Sequence, residues 1–122
     1  MKFQLTLAAL LAGAAMATSA AAAPPSGQQV FEQRCMMCHS VKPEPGKMGP
    51  PLGGVVGRKA GTVGGYAYSN AMKTSTITWN AASLEPYLKA PGKAVPGTKM
   101  LVGVADAEQR AAVIQYLGTL KK

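Results

Sequence analysis

Apolar residues recur at helical spacing in three separate stretches of the chain, and polar capping residues stand just before each. Ser26 and Gln29 have the spacing of a capping box, and Val30 with Phe31 forms an apolar face that runs into Cys35. Gly27 stands where a close helix crossing needs a residue without a side chain, or where a position after the cap is merely permissive. A second helix is expected from Ser83. That start places Pro86 inside the first turn, where its missing N–H costs nothing, and puts Leu84, Tyr87 and Leu88 on one face. Pro91 should stop it and open a loop over residues 91–102. Asp106 and Gln109 pair as a third cap, and Val113, Leu117 and Leu120 continue one face, with Lys121 and Lys122 suited to the negative end of that helix.

The rest is poor in regular pattern. Ser69 to Lys73 reads as one short helical turn, and Thr76 to Trp79 alternates like a strand but has no convincing partner, so it reads as an extended connection. Between His39 and Ala60 stand Pro43, Pro45, Gly46, Gly49, Pro50, Pro51, Gly53, Gly54 and Gly57. Such a run excludes helix and sheet over most of its length. The expected class is all-α: three main helices, short turns, and long loops wrapped around something the chain does not itself provide.

Residues 1–22 read as an export signal. Lys2 supplies the positive start, Leu5 to Met16 the apolar segment, and Ala20-Ala21-Ala22 a small-residue cleavage site, with Pro24 disfavouring a cut after Ala23. An uncleaved membrane anchor is the competing reading, made poor by Gly13, Thr18 and Ser19. Residues 23–122 then form one small domain. The chain carries thirteen Lys and Arg against five Asp and Glu, a net +8, and loss of Lys2 with the leader leaves +7. That excess points to an acidic partner. Nucleic acid is disfavoured, because the basic residues are dispersed and the destination is outside the cytoplasm. So small a domain, rich in glycine and proline and short of aromatics, buries a modest core unaided, and a large apolar cofactor would complete it.

Cys35-Met36-Met37-Cys38-His39 supplies that cofactor. Two thiols two residues apart, followed at once by an imidazole, match covalent haem attachment with the histidine as an axial ligand. A structural disulfide would close too short a loop to stabilise much. A thioredoxin-like pair lacks its βαβ setting. Zinc lacks a fourth ligand, since these are the only cysteines and the only histidine. With one histidine, the second axial position falls to methionine, to lysine, or stays open. Met36 and Met37 lie within the attachment turn, and Met48 follows on the histidine side. Met72 is conceivable but reads better as core. Met100, after Pro96-Gly97 in a constrained loop between two helices, is the candidate.

These residues, with Gly49-Pro50, Gly57-Arg58-Lys59, Gly65-Tyr66-Ala67-Tyr68, Trp79, Tyr87-Leu88 and Pro96-Gly97-Thr98-Lys99-Met100, resemble class I cytochrome c in order and near spacing, over Gly27 to Leu117. The resemblance is to the mitochondrial type and its bacterial relatives, and it implies the cytochrome c fold around one covalent haem c. It further implies that His39 and Met100 are axial ligands, that Cys35 and Cys38 carry the thioethers, and that the Pro50 carbonyl orients His39. Arg58, Tyr68, Trp79 and Thr98 would surround the propionates, Tyr87 would stand beside the methionine sulfur, and Gly27, Phe31 and Tyr116 would pack the first helix on the last. Arg34, Lys47, Lys93 and Lys99 match a basic ring. Met72 departs from the mitochondrial type, which has an asparagine there. The loop after His39 is slightly shorter, and the family's helix begins nearer Asn80 than Ser83.

The function implied is not enzymatic: a monomeric, soluble periplasmic electron carrier that docks transiently on membrane complexes. Its partners would be acidic redox proteins, a reductase such as a cytochrome bc-type complex and a terminal oxidase or other acceptor. The alternative is a haem protein with an open coordination position and peroxidase or gas-binding activity.

Overall fold

The structure is a computed structural model in which Met1, Gln4, residues 8–16 and residues 22–122 are described. Of the leader reading, Lys2, residues 5–7 and residues 17–21, with most of the cleavage segment, lie outside them. Among the described residues no helix is long and apolar enough to cross a membrane.

Helix α1 (Gly27–Val30) opens on the capping box: Ser26 Oγ accepts from Gln29 N at 3.2 Å, and Gln29 Oε1 accepts from Ser26 N at 2.8 Å. It runs directly into a π-helical stretch, Phe31–Cys35, whose wider turn is closed by Met36 N donating to Phe31 O at 3.1 Å. A π turn inside a helix advances the chain by one extra residue, and such turns concentrate where side chains must be re-aimed. Here the side chain delivered is Cys35.

Helix α2 (Asn70–Lys73) is the short turn expected, capped by Ser69 Oγ on Met72 N. Helix α3 (Ala81–Lys89) begins before Ser83. Asn80 is the cap, accepting from Ser83 N at 2.9 Å, while Ser83 Oγ accepts from Asn80 N at 2.9 Å. Ser83 is thus the third helical residue, and Pro86 sits deeper than the first turn. Pro86 withholds a donor from the Ala82 carbonyl, but Ala82 is exposed and water can replace the bond. Pro91 ends α3 and also starts α4 (Pro91–Ala94), where a loop was expected; proline suits a first helical position because its φ is preset. Helix α5 (Ala107–Leu117), capped by Asp106, stops at Gly118, so Leu120 and the two lysines lie beyond a turn at Gly118–Thr119 and outside the helix.

Among the described residues no β-strand forms, yet Thr76–Trp79 does find a partner. Ala60 N donates to Ile77 O (2.8 Å), Trp79 N to Arg58 O (2.9 Å) and Gly57 N to Trp79 O (2.7 Å), around one isolated antiparallel bridge between Lys59 and Thr78. The partner is the glycine-rich segment, whose irregular composition hides it from pattern reading.

Helix α1 packs across α5, with Val30, Phe31 and Val113 as the most deeply buried side chains and the Phe31 and Tyr116 rings 5.4 Å apart. Each such burial contributes about 1.5–3 kcal/mol. Gly27 makes the crossing possible. A Cβ there would overlap the Ala112 carbonyl and come within 2.7 Å of Tyr116 Cβ. Arg110, buried on α5, donates to Glu85 Oε1 (2.7 Å), Val104 O (2.9 Å) and Ala105 O (3.0 Å). Glu85 is half exposed, so the ion pair itself adds about 0.2–1 kcal/mol. The charged bonds to two backbone carbonyls, at about 1.5–3 kcal/mol each, weigh more. They hold the segment that follows Met100 against α5.

Gly27→Val should destabilise the haem-loaded protein by about 1–3 kcal/mol, since a backbone carbonyl and a neighbouring helix must move. In a thermal melt followed by circular dichroism the midpoint should fall by roughly 4–8 °C per kcal/mol.

Candidate cofactor site

The two expected thiols leave the first helix on a tight turn. Cys38 N and His39 N both donate to Cys35 O, at 3.1 and 2.9 Å, which closes the turn that carries Cys35, Cys38 and His39. The two cysteines are not joined to each other in a disulfide. Before any attachment, burial and secondarily the neighbouring Cys38 push the Cys35 thiol up to about 11. Among the described residues no group of three His, Cys, Asp or Glu is gathered so as to hold a metal ion.

His39 Nδ1 donates to the Pro50 carbonyl at 2.8 Å. That bond selects the tautomer with its proton on Nδ1 and leaves the Nε2 lone pair free. Burial lowers the imidazole's pKa, against the opposing pull of the Pro50 bond, and the Arg58 charge lowers it further. The ring is therefore neutral at pH 7, the form that ligates a metal. Gly49 lies flat on it: a Cβ there would stand 2.6 Å from Nδ1 and 2.9 Å from Nε2. Gly49 N in turn donates to Cys38 O at 2.8 Å, closing the loop onto the attachment turn.

These groups border a cavity of about 410 Å³ with a largely apolar lining. Every residue singled out from the sequence as cofactor-binding lines it: Cys35, Cys38, His39, Pro50, Arg58, Tyr68, Trp79, Tyr87, Thr98 and Met100. Met72 lines it too, buried within the core cluster. Arg58 Nη2 donates to Pro51 O (2.9 Å) and Nη1 to Gly53 O (3.4 Å), and burial lowers its pKa. The Tyr68 hydroxyl accepts from Val63 N at 3.2 Å. Trp79 is buried against Tyr87, ring centroids 4.8 Å apart. The Tyr87 hydroxyl and Thr98 Oγ1 share a hydrogen bond of 2.8 Å, and Met100 N reaches Thr98 Oγ1 at 3.4 Å.

The donor set fits haem. Two thiols sit at attachment spacing, one imidazole has its outer nitrogen already engaged, the thioethers of Met48, Met72 and Met100 border the same apolar space, and a guanidinium is available for carboxylates. Of the expected basic ring, Arg34 and Lys99 line the cavity, and Lys47 Nζ donates to Met36 O at 3.1 Å beside it. Lys93 is exposed on α4 and is not part of the lining.

Three contributors escaped the sequence reading. Gly49 was noted for its motif and not for the bare face it offers His39. Tyr66 donates its hydroxyl to Met48 O at 2.7 Å, and Lys99 Nζ bonds the Ala67 carbonyl while lying 5.9 Å over the Tyr66 ring. Arg110 carries no signal beyond an arginine on a helix, because its partners are carbonyls of a loop.

A family model described as "Cytochrome c" matches residues 25–121. A cytochrome c2 from Rhodomicrobium vannielii is 47% identical over 116 residues, covering 89% of this chain and 91% of the relative. A cytochrome c type-1 from Ascaris suum is 45% identical over 93 residues, covering 75% and 83%. Among solved structures, cytochrome cH from Methylobacterium extorquens superposes with a TM-score of 0.70 at 43% identity, over 76% of this chain and 94% of that one.

Burial and, more weakly, the charge of Tyr66 raise the pKa of the Tyr87 phenol above the ordinary 10.0, and the Thr98 bond only partly offsets them. Above pH 10 the unfolded chain ionises this group while the folded one retains its proton, so stability should fall as pH rises further. Denaturant titrations at pH 9 and pH 11 should show a smaller fall for Tyr87→Phe than for the native chain.

Proposed function

The chain belongs to the cytochrome c family, and from that premise we propose that it is a periplasmic electron carrier whose iron is held axially by His39 and Met100. The domain would be residues 23–122, released from a leader cut near Ala22. Haem c is its cofactor, covalent through Cys35 and Cys38. When bound, the haem supplies one-electron chemistry, its iron passing between ferric and ferrous. The observation that carries the reading is the convergence of both thiols, the imidazole and the Met100 thioether on a single apolar cavity, which Met48 and Met72 also line.

Each residue then has a physical task. Cys35 and Cys38 tether the group, and the Pro50 carbonyl holds the His39 ring in tautomer and orientation. Thr98 steadies Met100 through its backbone, and Arg110 pins the segment beyond it. Arg58, Tyr68, Trp79 and Thr98 would offer the carboxylates positive charge and donors inside the protein, while Tyr87 would stand beside the Met100 sulfur. Leu84, Leu88 and Leu117 complete an apolar wall that excludes water. With His39 and Met100 both holding the iron, the metal would be closed to substrate and none would be chemically changed.

Net charge sets the partner. A monomer with Arg34, Lys47 and Lys99 around the cavity mouth would be steered onto an acidic face, a bc-type reductase on one side and a terminal oxidase on the other, in short-lived complexes.

The purified oxidised protein should show the long-wavelength methionine-to-iron band, and Met100→Ala should abolish it while leaving the haem covalently attached. A native protein without the band, high-spin and binding carbon monoxide quickly when reduced, would instead establish the open-coordination reading with peroxidase or gas-binding activity. The rate of oxidation by an acidic oxidase should fall by about tenfold or more between low and moderate salt. A rate indifferent to salt would exclude steering.

A further inference from the structure

Large apolar side chains left in water call for an explanation when they cluster. Met37 is 80% exposed, Met48 75% and Met36 43%, whereas Met72 is 7% exposed within the core. The three exposed methionines come from two separate segments that hydrogen bonds bring together. Lys47 Nζ donates to Met36 O at 3.1 Å, and Gly49 N donates to Cys38 O at 2.8 Å, so Met48 is bracketed on both sides by bonds to the attachment turn. Met48 also lines the cavity, and Met37 lies between two cysteines that line it. Among the described residues no carboxylate borders that mouth, which Arg34 and Lys99 flank.

We propose that Met37 and Met48 form an oxidant-sensitive modification site on the docking face, converted to sulfoxides by hydrogen peroxide and so switching partner binding off. The inference rests on the carrier reading for its consequence, though not for its chemistry. The thioether sulfur attacks one peroxide oxygen. An S–O bond forms as the O–O bond breaks, the sulfur loses two electrons, and the displaced hydroxide takes up the second peroxide proton and leaves as water. A flexible apolar side chain able to mould to a partner becomes a polar one that must be desolvated on contact. Methionine sulfoxide reductases reverse the change, one type for each sulfur epimer, which makes it a switch and not only damage.

The test uses the haem-loaded full chain treated with limiting hydrogen peroxide. Peptide mass spectrometry should find one added oxygen on Met37 and Met48 well before Met72. The long-wavelength methionine-to-iron band should persist, as evidence that Met100 is untouched. Oxidation of the ferrous protein by bacterial respiratory membranes, followed as oxygen uptake, should then slow by roughly fivefold. Treatment with both reductases should restore it. A double variant, Met37→Leu with Met48→Leu, keeps an apolar face without the sulfur, and its own rate, whatever its starting value, should be the same before and after peroxide. Oxidation that favours Met72, or a native rate unchanged once Met37 and Met48 carry oxygen, would overturn the proposal. Absence of transfer from the untreated protein would count against the carrier reading and hence the docking consequence, while the mass measurement still decides the modification.

Discussion

The hydrogen bond from His39 Nδ1 to the Pro50 carbonyl ties the end of the first helix to the loop that follows it, and most of the site takes its position from that link. It fixes which ring nitrogen carries the proton and turns the other toward the cavity. Pro50 is suited to supply the acceptor, because its own φ is preset and Pro51 restricts it in turn toward extended backbone. Gly49 leaves room for the ring to lie against the chain. The loop then continues to the Pro51 and Gly53 carbonyls, which accept from Arg58 and hold a positive charge beside an otherwise apolar space. A segment with no regular structure is thereby as well determined as a helix, through bonds to its backbone.

The frame around this loop is the crossing of α1 and α5. It is narrow because residue 27 lacks a side chain, and it is apolar because Val30, Phe31, Val113 and Leu117 face inward. The crossing fixes where the π-helical turn ends and so where Cys35 emerges. On the other side of the cavity, α3 and α5 are joined through Arg110, whose bonds to the Val104 and Ala105 carbonyls set the path of the chain after Met100. Candidate groups separated by some sixty residues of sequence thus face one cavity because two helices near the ends of the domain hold each other.

Charge is distributed in the opposite sense to hydrophobicity. Inside, an apolar lining raises the cost of any unpaired charge, and the Arg58 guanidinium is bonded to backbone. Outside, lysines and arginines accumulate without balancing carboxylates at the cavity mouth, interleaved with exposed methionines. The first arrangement suits a buried redox group, and the second a brief encounter with an acidic surface, in which long-range attraction orients and soft apolar contact completes.

Local chemistry alone determined a good deal. The Cys35-to-His39 spacing declares its cofactor because three reactive residues with no other partners admit few uses, and the caps at Ser26 and Asp106 are legible because a side chain bonds the backbone three residues on. The failures occurred where two local signals competed or where the partner was distant. Ser83 and Asn80 both look like caps, and only the folded pair shows that Asn80 leads and Ser83 answers. Pro91 both stops one helix and starts another, a choice made by the chain beyond it. The pairing of Thr76–Trp79 with residues 57–60, the clasp of Tyr66 on Met48 and the burial of Arg110 all use backbone carbonyls as acceptors. Every residue has such a carbonyl, so the sequence cannot mark which one is used. That choice belongs to the tertiary structure, which alone brings a particular carbonyl within reach.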